Sequence, residues 1–375
     1  MINKKRLIGL TQKLIRIDSQ NPPGDESRLA QFIRDYLSCL GIKTKNYEFK
    51  KNRSNISAVL PGKNKGRSLL ITPHLDTVPA GRGWHVDPFA ASINRGRIYG
   101  LGATDCKGNL ACCLEVMNSL IEGREVLDYN LIFSATADEE SGSDFGLLPL
   151  LQKKILRPDA AVVLDADNFS IIVAQKGLLH LKVKVRGKRA HGAYPWLGVN
   201  AISIAVDIIS DIRRHRFEYS RNKYLRPPTV NVGTIKGGDK VNVVADWCEF
   251  ELDFRFLPGM SAEKILADLK KIIRKHTGKY SLEIEGTQDH FSMEESHPLV
   301  VYLKKVMQRQ GVRPRIEGSE GATTISFFQR YGIPAVATGF GVETCAHSID
   351  EYVKIDSLYK GARVLEEFLK IFKFS

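Results

Sequence analysis

The spacing of hydrophobic residues predicts two helices followed by alternating strands and helices. Apolar positions recur at helical intervals over about 4–17 and 25–40, and Gly41 ends the second of these segments. Short apolar runs beyond them predict the strands NISAVL, SLLIT, NLIFSATA and AAVVLD, and NLACCLEVMNSLI, between the second and third, has helical spacing. This alternation is typical of an α/β layer with a mostly parallel central sheet.

The order of the elements changes in the middle of the chain. Residues 177–286 predict a strand, a helix, two strands, a helix and a strand, which is the self-contained β-α-β-β-α-β pattern of a ferredoxin-like unit. A helix near 298–310 and another from about 356 then return to α/β material. We therefore predict one domain built from residues 1–176 and 287–375, into which residues 177–286 are inserted as a second domain.

Length and composition agree with a globular protein of two domains. The chain has 375 residues, of which 43% are hydrophobic and 26% are charged. No segment approaches the ~20 consecutive apolar residues of a membrane span, and the first residues lack the continuous apolar centre of a signal peptide. We expect a cytoplasmic protein whose six cysteines, without CxxC spacing, are reduced thiols.

The net charge of +13 suggests an anionic partner. Lysine and arginine are scattered over predicted helix faces, however, and we recognise no nucleic-acid module in the sequence. We therefore expect neither a nucleic acid nor a membrane as a partner. A basic surface would instead attract small substrates that carry a carboxylate.

Acidic residues and a histidine follow three of the predicted strands. His74 and Asp76 come directly after SLLIT, Glu139 and Glu140 follow NLIFSATA, and Asp165 ends AAVVLD. Ligands collect at the carboxyl ends of strands in open α/β sheets, so these side chains are well placed to hold a metal. Taken singly, each motif has a simpler interpretation, as a structural histidine or as a solvated acidic turn.

Two further candidate ligands are expected at the same edge of the predicted sheet. Asp105 lies in GLGATDCKGN before a helix, and His347 lies in ETCAHSIDEYV after the predicted strand PAVAT. Two histidines and three carboxylates suit zinc, with manganese or cobalt as substitutes. Five ligands are too many for one open catalytic zinc, but they serve two metals if one carboxylate bridges them. The predicted reaction class is hydrolysis.

The motifs HLD, GLGATDCKGNL, ADEESGS, LDAD and CAHSIDEYV, in this order, resemble the dizinc aminoacylase, carboxypeptidase G and desuccinylase family. Within it, the chain is most similar to the acetylornithine deacetylase and succinyl-diaminopimelate desuccinylase branch, and the resemblance covers nearly the whole chain. It implies an amino-acid biosynthetic deacylase with a zinc-peptidase-like catalytic domain and a ferredoxin-like dimerisation domain acting as a lid. It also implies a small N-acyl amino acid or peptide as substrate.

The resemblance assigns a metal role to each of the five candidate ligands. It implies two Zn²⁺ per subunit, for which Co²⁺ or Mn²⁺ can substitute. Asp105 would bridge the two ions. His74 and Asp165 would complete one site, and Glu140 and His347 would complete the other.

Catalytic roles also follow from the resemblance. Glu139 would be the general base, which takes a proton from the metal-bridging water as it attacks the amide carbon and passes it to the leaving amine. Asp76 would support the histidine ligand from behind. The alternative for Glu139 is a further metal ligand.

The inserted segment carries three candidate residues. GKRAHGAYPWLGVNAI resembles the family's dimerisation motif, which implies that His191 hydrogen bonds the developing oxyanion in the other subunit of a homodimer. GGDKVNVVADWCEFELDFR resembles the stretch that supplies Asn242 and Arg255, which would bind the substrate's carboxylate. Arg255 has an alternative interpretation as the ion-pair partner of Asp253.

The chain departs from the family pattern at two places. Cys106 follows the bridging aspartate, where methionine is usual, and Thr323 and Thr324 occupy a loop that commonly carries an aspartate. That loop helps to recognise the amino-acid end of the substrate. A dipeptidase or a carboxypeptidase is the alternative enzyme, because the same metal centre serves both reactions. A noncatalytic binding protein is a third interpretation, which the complete set of ligand positions disfavours.

Overall fold

The computed structural model describes residues 1–374, and Ser375, the last residue of the predicted catalytic domain, lies outside them. Within the described chain, contacts define two compact units. The first comprises Met1–Val173, Met293–Glu317 and the chain from Thr323 onward, and the second comprises Ala174–Ser292 and Gly318–Ala322. The short segment Gly318–Ala322 was predicted as part of the first domain, but it packs within the second unit.

The seven longer helices of the described chain lie close to the segments that hydrophobic periodicity predicts, whereas two helices of six residues each were not predicted. In chain order, the α-helices of residues 1–374 are α1 (Lys4–Ile15), α2 (Ser27–Cys39), α3 (Gly108–Glu122), α4 (Leu147–Gln152), α5 (Ala201–Arg214), α6 (Ala262–His276), α7 (Pro298–Arg309), α8 (Ile325–Arg330) and α9 (Ile355–Ile371). Polar side chains cap the first turns of two of these helices. The Asn200 side chain accepts backbone hydrogen bonds from the first turn of α5, and the Ser261 side chain accepts one from the first turn of α6. None of these helices is long and apolar enough to cross a membrane.

The strands are more numerous than predicted. They are β1 (Thr44–Glu48), β2 (Ser54–Leu60), β3 (Asn64–Thr72), β4 (Ile93–Asn94), β5 (Arg97–Tyr99), β6 (Tyr129–Ala135), β7 (Ala160–Val163), β8 (Ser170–Gln175), β9 (Gly177–Arg186), β10 (Thr229–Gly237), β11 (Trp247–Phe256), β12 (Tyr280–Gln288), β13 (Phe291–Ser292), β14 (Arg315–Ser319), β15 (Ala335–Thr338) and β16 (Tyr352–Lys354).

The largest sheet confirms the predicted α/β class. Its strands follow the order β1-β2-β6-β3-β7-β15-β8-β13, and β14 pairs with β8 beside this path. The four central strands β6, β3, β7 and β15 are parallel to one another, and the pairs β1–β2, β2–β6, β15–β8 and β13–β8 are antiparallel. Helix α3, which follows the Asp105 loop, is buried along most of its length. The parallel centre is therefore the part of the sheet whose strand ends can supply a common site.

The second unit has its own sheet and its own core. Its four strands lie in the order β10-β11-β9-β12, and every neighbouring pair is antiparallel. Alternate residues of β9 and β11 are buried, and they pack with the apolar faces of α5 and α6. Strand order and helix placement correspond to the predicted β-α-β-β-α-β pattern.

Candidate metal centre

The ends of the four parallel strands bring the candidate ligands together within the first unit. His74 follows β3, Glu139 and Glu140 follow β6, Asp165 follows β7, and His347 lies in the loop after β15. The chain continues in register beyond the strands, since His74 forms a parallel bridge with Thr136 beside it. The convergence on one sheet edge that the sequence predicts is therefore present.

Asp105 lies between the two histidines. Its Oδ1 atom is 2.8 Å from Nε2 of His74, and its Oδ2 atom is 3.2 Å from Nε2 of His347. Nε2 of His74 is also 3.7 Å from Oδ1 of Asp165, and Nε2 of His347 is 3.1 Å from Oε1 of Glu140. One carboxylate thus faces two separate groups, each made of one histidine and one further acid.

The donor set fits divalent cations. Oδ2 of Asp165 is buried and has no hydrogen-bond partner among residues 1–374. Burial, followed by repulsion from Glu139 and Asp105, raises the pKa of Asp165 well above its usual value. Burial likewise raises the pKa of Glu139 to about 8. Carboxylates crowded in this way repel one another when they are ionised, and bound cations relieve that repulsion.

Asp76 lies behind His74 and also contacts the acidic turn. Nδ1 of His74 is 2.9 Å from the carbonyl oxygen of Asp76 and 3.7 Å from Oδ1 of its carboxylate. The Asp76 carboxylate also accepts hydrogen bonds from the backbone N–H groups of Glu139 at 3.0 Å and Glu140 at 3.1 Å. Asp76 therefore fixes both the histidine and the acidic turn.

Asp138, the first acid of the Asp-Glu-Glu run, does not face the candidate ligands. It has a left-handed backbone conformation, with φ 65°, and its buried carboxylate pairs with Arg53 at 2.7 Å. Only Glu139 and Glu140 of the three acids remain directed at the centre. Sequence reasoning gave Asp138 and Arg53 no separate role.

Glu351 is a buried residue that sequence reasoning missed. Its carboxylate accepts hydrogen bonds from the backbone N–H groups of Gly102, Thr104 and Asp105, at 2.8 to 3.0 Å. It therefore holds the loop that carries the shared aspartate. The only sequence signal was its position four residues after His347, in a motif already singled out for the histidine.

Cys106 is tied to the backbone beside the centre. His74 N donates to Sγ of Cys106 at 3.2 Å, and the thiol in turn donates to the carbonyl oxygen of His74 at 3.4 Å. Burial raises the pKa of this thiol to about 12, so that it stays neutral. The cysteine that replaces methionine is thus a packing group that also positions His74.

The second unit places its three candidates at two different ends of its sheet. His191 and Asn242 lie in adjoining exposed loops. His191 forms an isolated antiparallel β-bridge with Val243, and the Asn242 carbonyl oxygen accepts a hydrogen bond from Gly192 N at 2.7 Å. Arg255 lies near the far end of β11, about 26 Å along the strand from its start at Trp247. Within one subunit, the structure does not bring Arg255 together with the other two.

Arg255 has the partner that the alternative interpretation names. Its Nε atom is 2.7 Å from Oδ1 of Asp253, and its Nη2 atom is 3.1 Å from Oδ2. The guanidinium is therefore paired within its own strand, and the role of Arg255 in substrate binding stays a prediction.

Comparisons with known proteins give one family for most of the chain. The sequence profile described as "Peptidase family M20/M25/M40" matches residues 70–371. Acetylornithine deacetylase of Pasteurella multocida (strain Pm70) is 29% identical over 368 residues, which are 94% of each chain. Succinyl-diaminopimelate desuccinylase of Orientia tsutsugamushi (strain Ikeda) is 27% identical over 386 residues, covering 100% of this chain and 98% of the relative.

Solved structures share the same fold over nearly their whole length. A tripeptidase from Staphylococcus aureus superposes with a TM-score of 0.82 at 27% identity and 99% coverage of both chains. A dinuclear metal-binding peptidase of the M20 family from Bacillus subtilis has a TM-score of 0.75 at 17% identity and 98% coverage of both chains.

Proposed function

This chain belongs to peptidase family M20/M25/M40, a family of metal-dependent hydrolases, and we propose that it is a dizinc deacylase of N-acyl amino acids. The observation that carries the proposal is the Asp105 carboxylate, whose two oxygens face His74 and His347 separately. A bridging carboxylate with one histidine on each side is suited to two metals rather than one. The choice of zinc follows from the mixed nitrogen and oxygen donors.

Five residues of the first unit would hold the metals. In this proposal, one ion is bound by His74, Asp105 and Asp165, and the other is bound by Asp105, Glu140 and His347. When bound, the pair supplies an acidified water and polarises the scissile carbonyl. The chain itself supplies the geometry, because the Asp105 loop is held by Glu351 and the acidic turn is held by Asp76.

Glu139 would move the proton. In the chain it lies between Asp138, which pairs with Arg53, and Glu140, which contacts His347. Its own backbone N–H donates to the Asp76 carboxylate at 3.0 Å. A carboxylate held there would take the proton of the attacking water and deliver it to the amine that leaves. The same residue would also be available for peptide hydrolysis, so Glu139 does not distinguish a deacylase from a peptidase.

The deacylase assignment is supported by the relatives. Two curated relatives that cover more than nine tenths of this chain are named as a deacetylase and a desuccinylase. A tripeptidase has the same fold, so a dipeptidase or carboxypeptidase activity remains the alternative. The loop at Thr323 and Thr324, which lacks the aspartate common in the family, is where the two activities would be distinguished.

A substrate panel tests the proposed activity. Purified protein loaded with zinc or cobalt is assayed with N-acetylornithine, N-succinyl-diaminopimelate, dipeptides and N-acylated dipeptides. We expect hydrolysis of an N-acyl amino acid, loss of that activity in chelator-treated protein and its return when metal is added back. Turnover of peptides alone would contradict the deacylase assignment while retaining the hydrolase.

We further propose that the second unit joins two copies of this chain. Its sheet has the edge strands β10 and β12, which another chain could cover. Large apolar side chains are exposed in the loops around His191, where Trp196 is 73% and Leu197 is 58% exposed. We expect a homodimer at micromolar concentration in sedimentation, and a monomer under these conditions would contradict the proposal.

His191 would act across that dimer. Because it shares a loop pair with Asn242, both residues would reach the substrate of the other subunit. We expect His191→Ala to retain its metal and to lose ~10²- to 10³-fold in turnover, the usual cost of removing one oxyanion donor. Mixing it with Glu139→Gln under conditions of subunit exchange should restore part of the activity. Absence of rescue despite proven exchange would place His191 in its own chain's site or in loop support alone.

A further inference from the structure

A buried arginine lies behind the acidic turn, outside the candidate ligand set. Arg53 immediately precedes β2, and its side chain is only 6% exposed. Nη2 donates to Oε1 of Glu26 at 2.8 Å and to Oδ1 of Asp138 at 2.7 Å. Nη1 donates to Oδ1 of Asn21 at 3.4 Å. One guanidinium thus joins Asn21 and Glu26, from the segment before α2, to Asp138 of the acidic turn.

Asn21 extends this contact to the support of the metal centre. Its Nδ2 atom donates to Oδ2 of Asp76 at 2.9 Å and to Oδ1 of Asp138 at 3.3 Å. Asp76 in turn accepts the backbone N–H groups of Glu139 and Glu140. The acidic turn is therefore held from two sides, by Asp138 within the turn and by Asp76 beneath it. Both of these carboxylates are connected to Arg53.

The site is shaped around the guanidinium. Gly24 has φ +79°, and a Cβ atom there would lie 2.2 Å from Nη1 of Arg53. Any side chain at position 24 would therefore displace the arginine. Arg53 is also the cation that compensates Asp138, a carboxylate that is 3% exposed and directly precedes Glu139. Without it, a further uncompensated negative charge would lie against the turn.

We propose that Arg53 is a positioning residue for Glu139 and Glu140, acting through Asp138 and through Asn21 and Asp76. This inference rests on the proposed function, in which Glu139 moves the proton and Glu140 binds metal. A guanidinium is required because its fork reaches Glu26, Asp138 and Asn21 at once. Groups that orient ligands from behind typically contribute ~10- to 100-fold to metal affinity or activity.

Three variants test the proposal. Arg53→Lys keeps the positive charge but loses the fork. Asn21→Ala leaves the two Arg53 ion pairs in place and removes the hydrogen bonds of Asn21 with Arg53, Asp76 and Asp138. Arg67→Lys is the matched control, because it makes the same exchange at an arginine that is 49% exposed and lies at the far end of β3 from His74. Folding of each variant is checked by circular dichroism and thermal unfolding.

We expect Arg53→Lys and Asn21→Ala to lower kcat by ~10- to 100-fold at unchanged KM, and to weaken zinc binding by ~10-fold in competition with a chelator. Arg67→Lys should match the wild type in kcat and zinc affinity. Folded Arg53→Lys that shows a lowered melting temperature but wild-type kcat and zinc affinity would overturn the proposal and leave Arg53 a stabilising residue only. If Arg53→Lys does not fold, Asn21→Ala decides: a wild-type kcat and zinc affinity in that variant would also overturn it.

The zinc measurement separates this inference from the proposed function. A wild-type protein that binds no zinc would contradict the dizinc proposal itself. A wild type that binds zinc but cleaves none of the substrates would leave the chelator competition as a valid test of Arg53, because that test requires no substrate.

Discussion

Glu139→Gln is expected to lower kcat by ~10²- to 10⁴-fold while the bound metal stays at the wild-type level, because glutamine keeps the shape of the side chain but cannot take a proton. Glu140→Gln, one residue further, removes a charge whose oxygen lies 3.1 Å from Nε2 of His347. We expect this second variant to lose metal from the site that it shares with His347.

The two substitutions are matched in size, charge and position on the same turn, so they control for each other. Metal content is measured by atomic emission after gel filtration, and kcat is measured on the same samples with and without added zinc. Equal metal loss in both variants would show that Glu139 is itself a ligand. Normal turnover in fully loaded Glu139→Gln would remove it as the general base.

Asp105→Asn is expected to have the largest effect on metal content. Both oxygens of Asp105 face a histidine, so one neutral amide weakens both sites at once. We expect the metal content to fall from about two ions per subunit to less than about one, with at least ~10³-fold lower activity, since the ions supply several kcal/mol of transition-state stabilisation. The rise in melting temperature that zinc gives the wild type should also disappear.

Asp167→Asn is the matched control for that prediction. Asp167 is also an acid after β7, but its backbone forms a parallel bridge with Gly341 and, unlike Asp165, its carboxylate forms no ion pair with a histidine among residues 1–374. We expect this variant to keep its metal. Equal loss of metal in the two variants would indicate a general sensitivity of the sheet edge to charge and would contradict the bridging role of Asp105.

Periodicity predicted most of the fold because burial determines these elements. The predicted helix at 262–276 has the same bounds as α6, whose apolar residues recur on one face. Strand β1, with the sequence TKNYE, was missed because none of its five residues is buried, so it has no apolar run or alternation. Strands β4 and β5 are too short to show a period. Local pattern therefore identified most of the buried elements and missed these exposed or very short ones, and it also missed the buried strand β8.

The candidate ligands could be predicted because topology places strand ends together, whereas their supports could not. The backbone at Asp138, with φ 65°, turns its side chain toward Arg53 and leaves the next two acids at the centre. Nothing in three consecutive acids indicates which one turns away. Arg53 and Glu351 are charged residues in polar segments. The groups that contact them in the buried state are distant in sequence, so the local pattern does not indicate that either residue is buried.

The Glu351 contact makes assembly of the centre depend on a segment that is synthesised long after the Asp105 loop. The loop before Asp105 receives its anchor from a residue more than 240 positions later, and His347 lies in the same late segment. On a ribosome, a nascent chain that already contains His74, Asp105 and Glu140 would still lack both that anchor and the fifth ligand. Tight metal capture would therefore wait until the segment with His347 and Glu351 has been synthesised and has packed against the Asp105 loop.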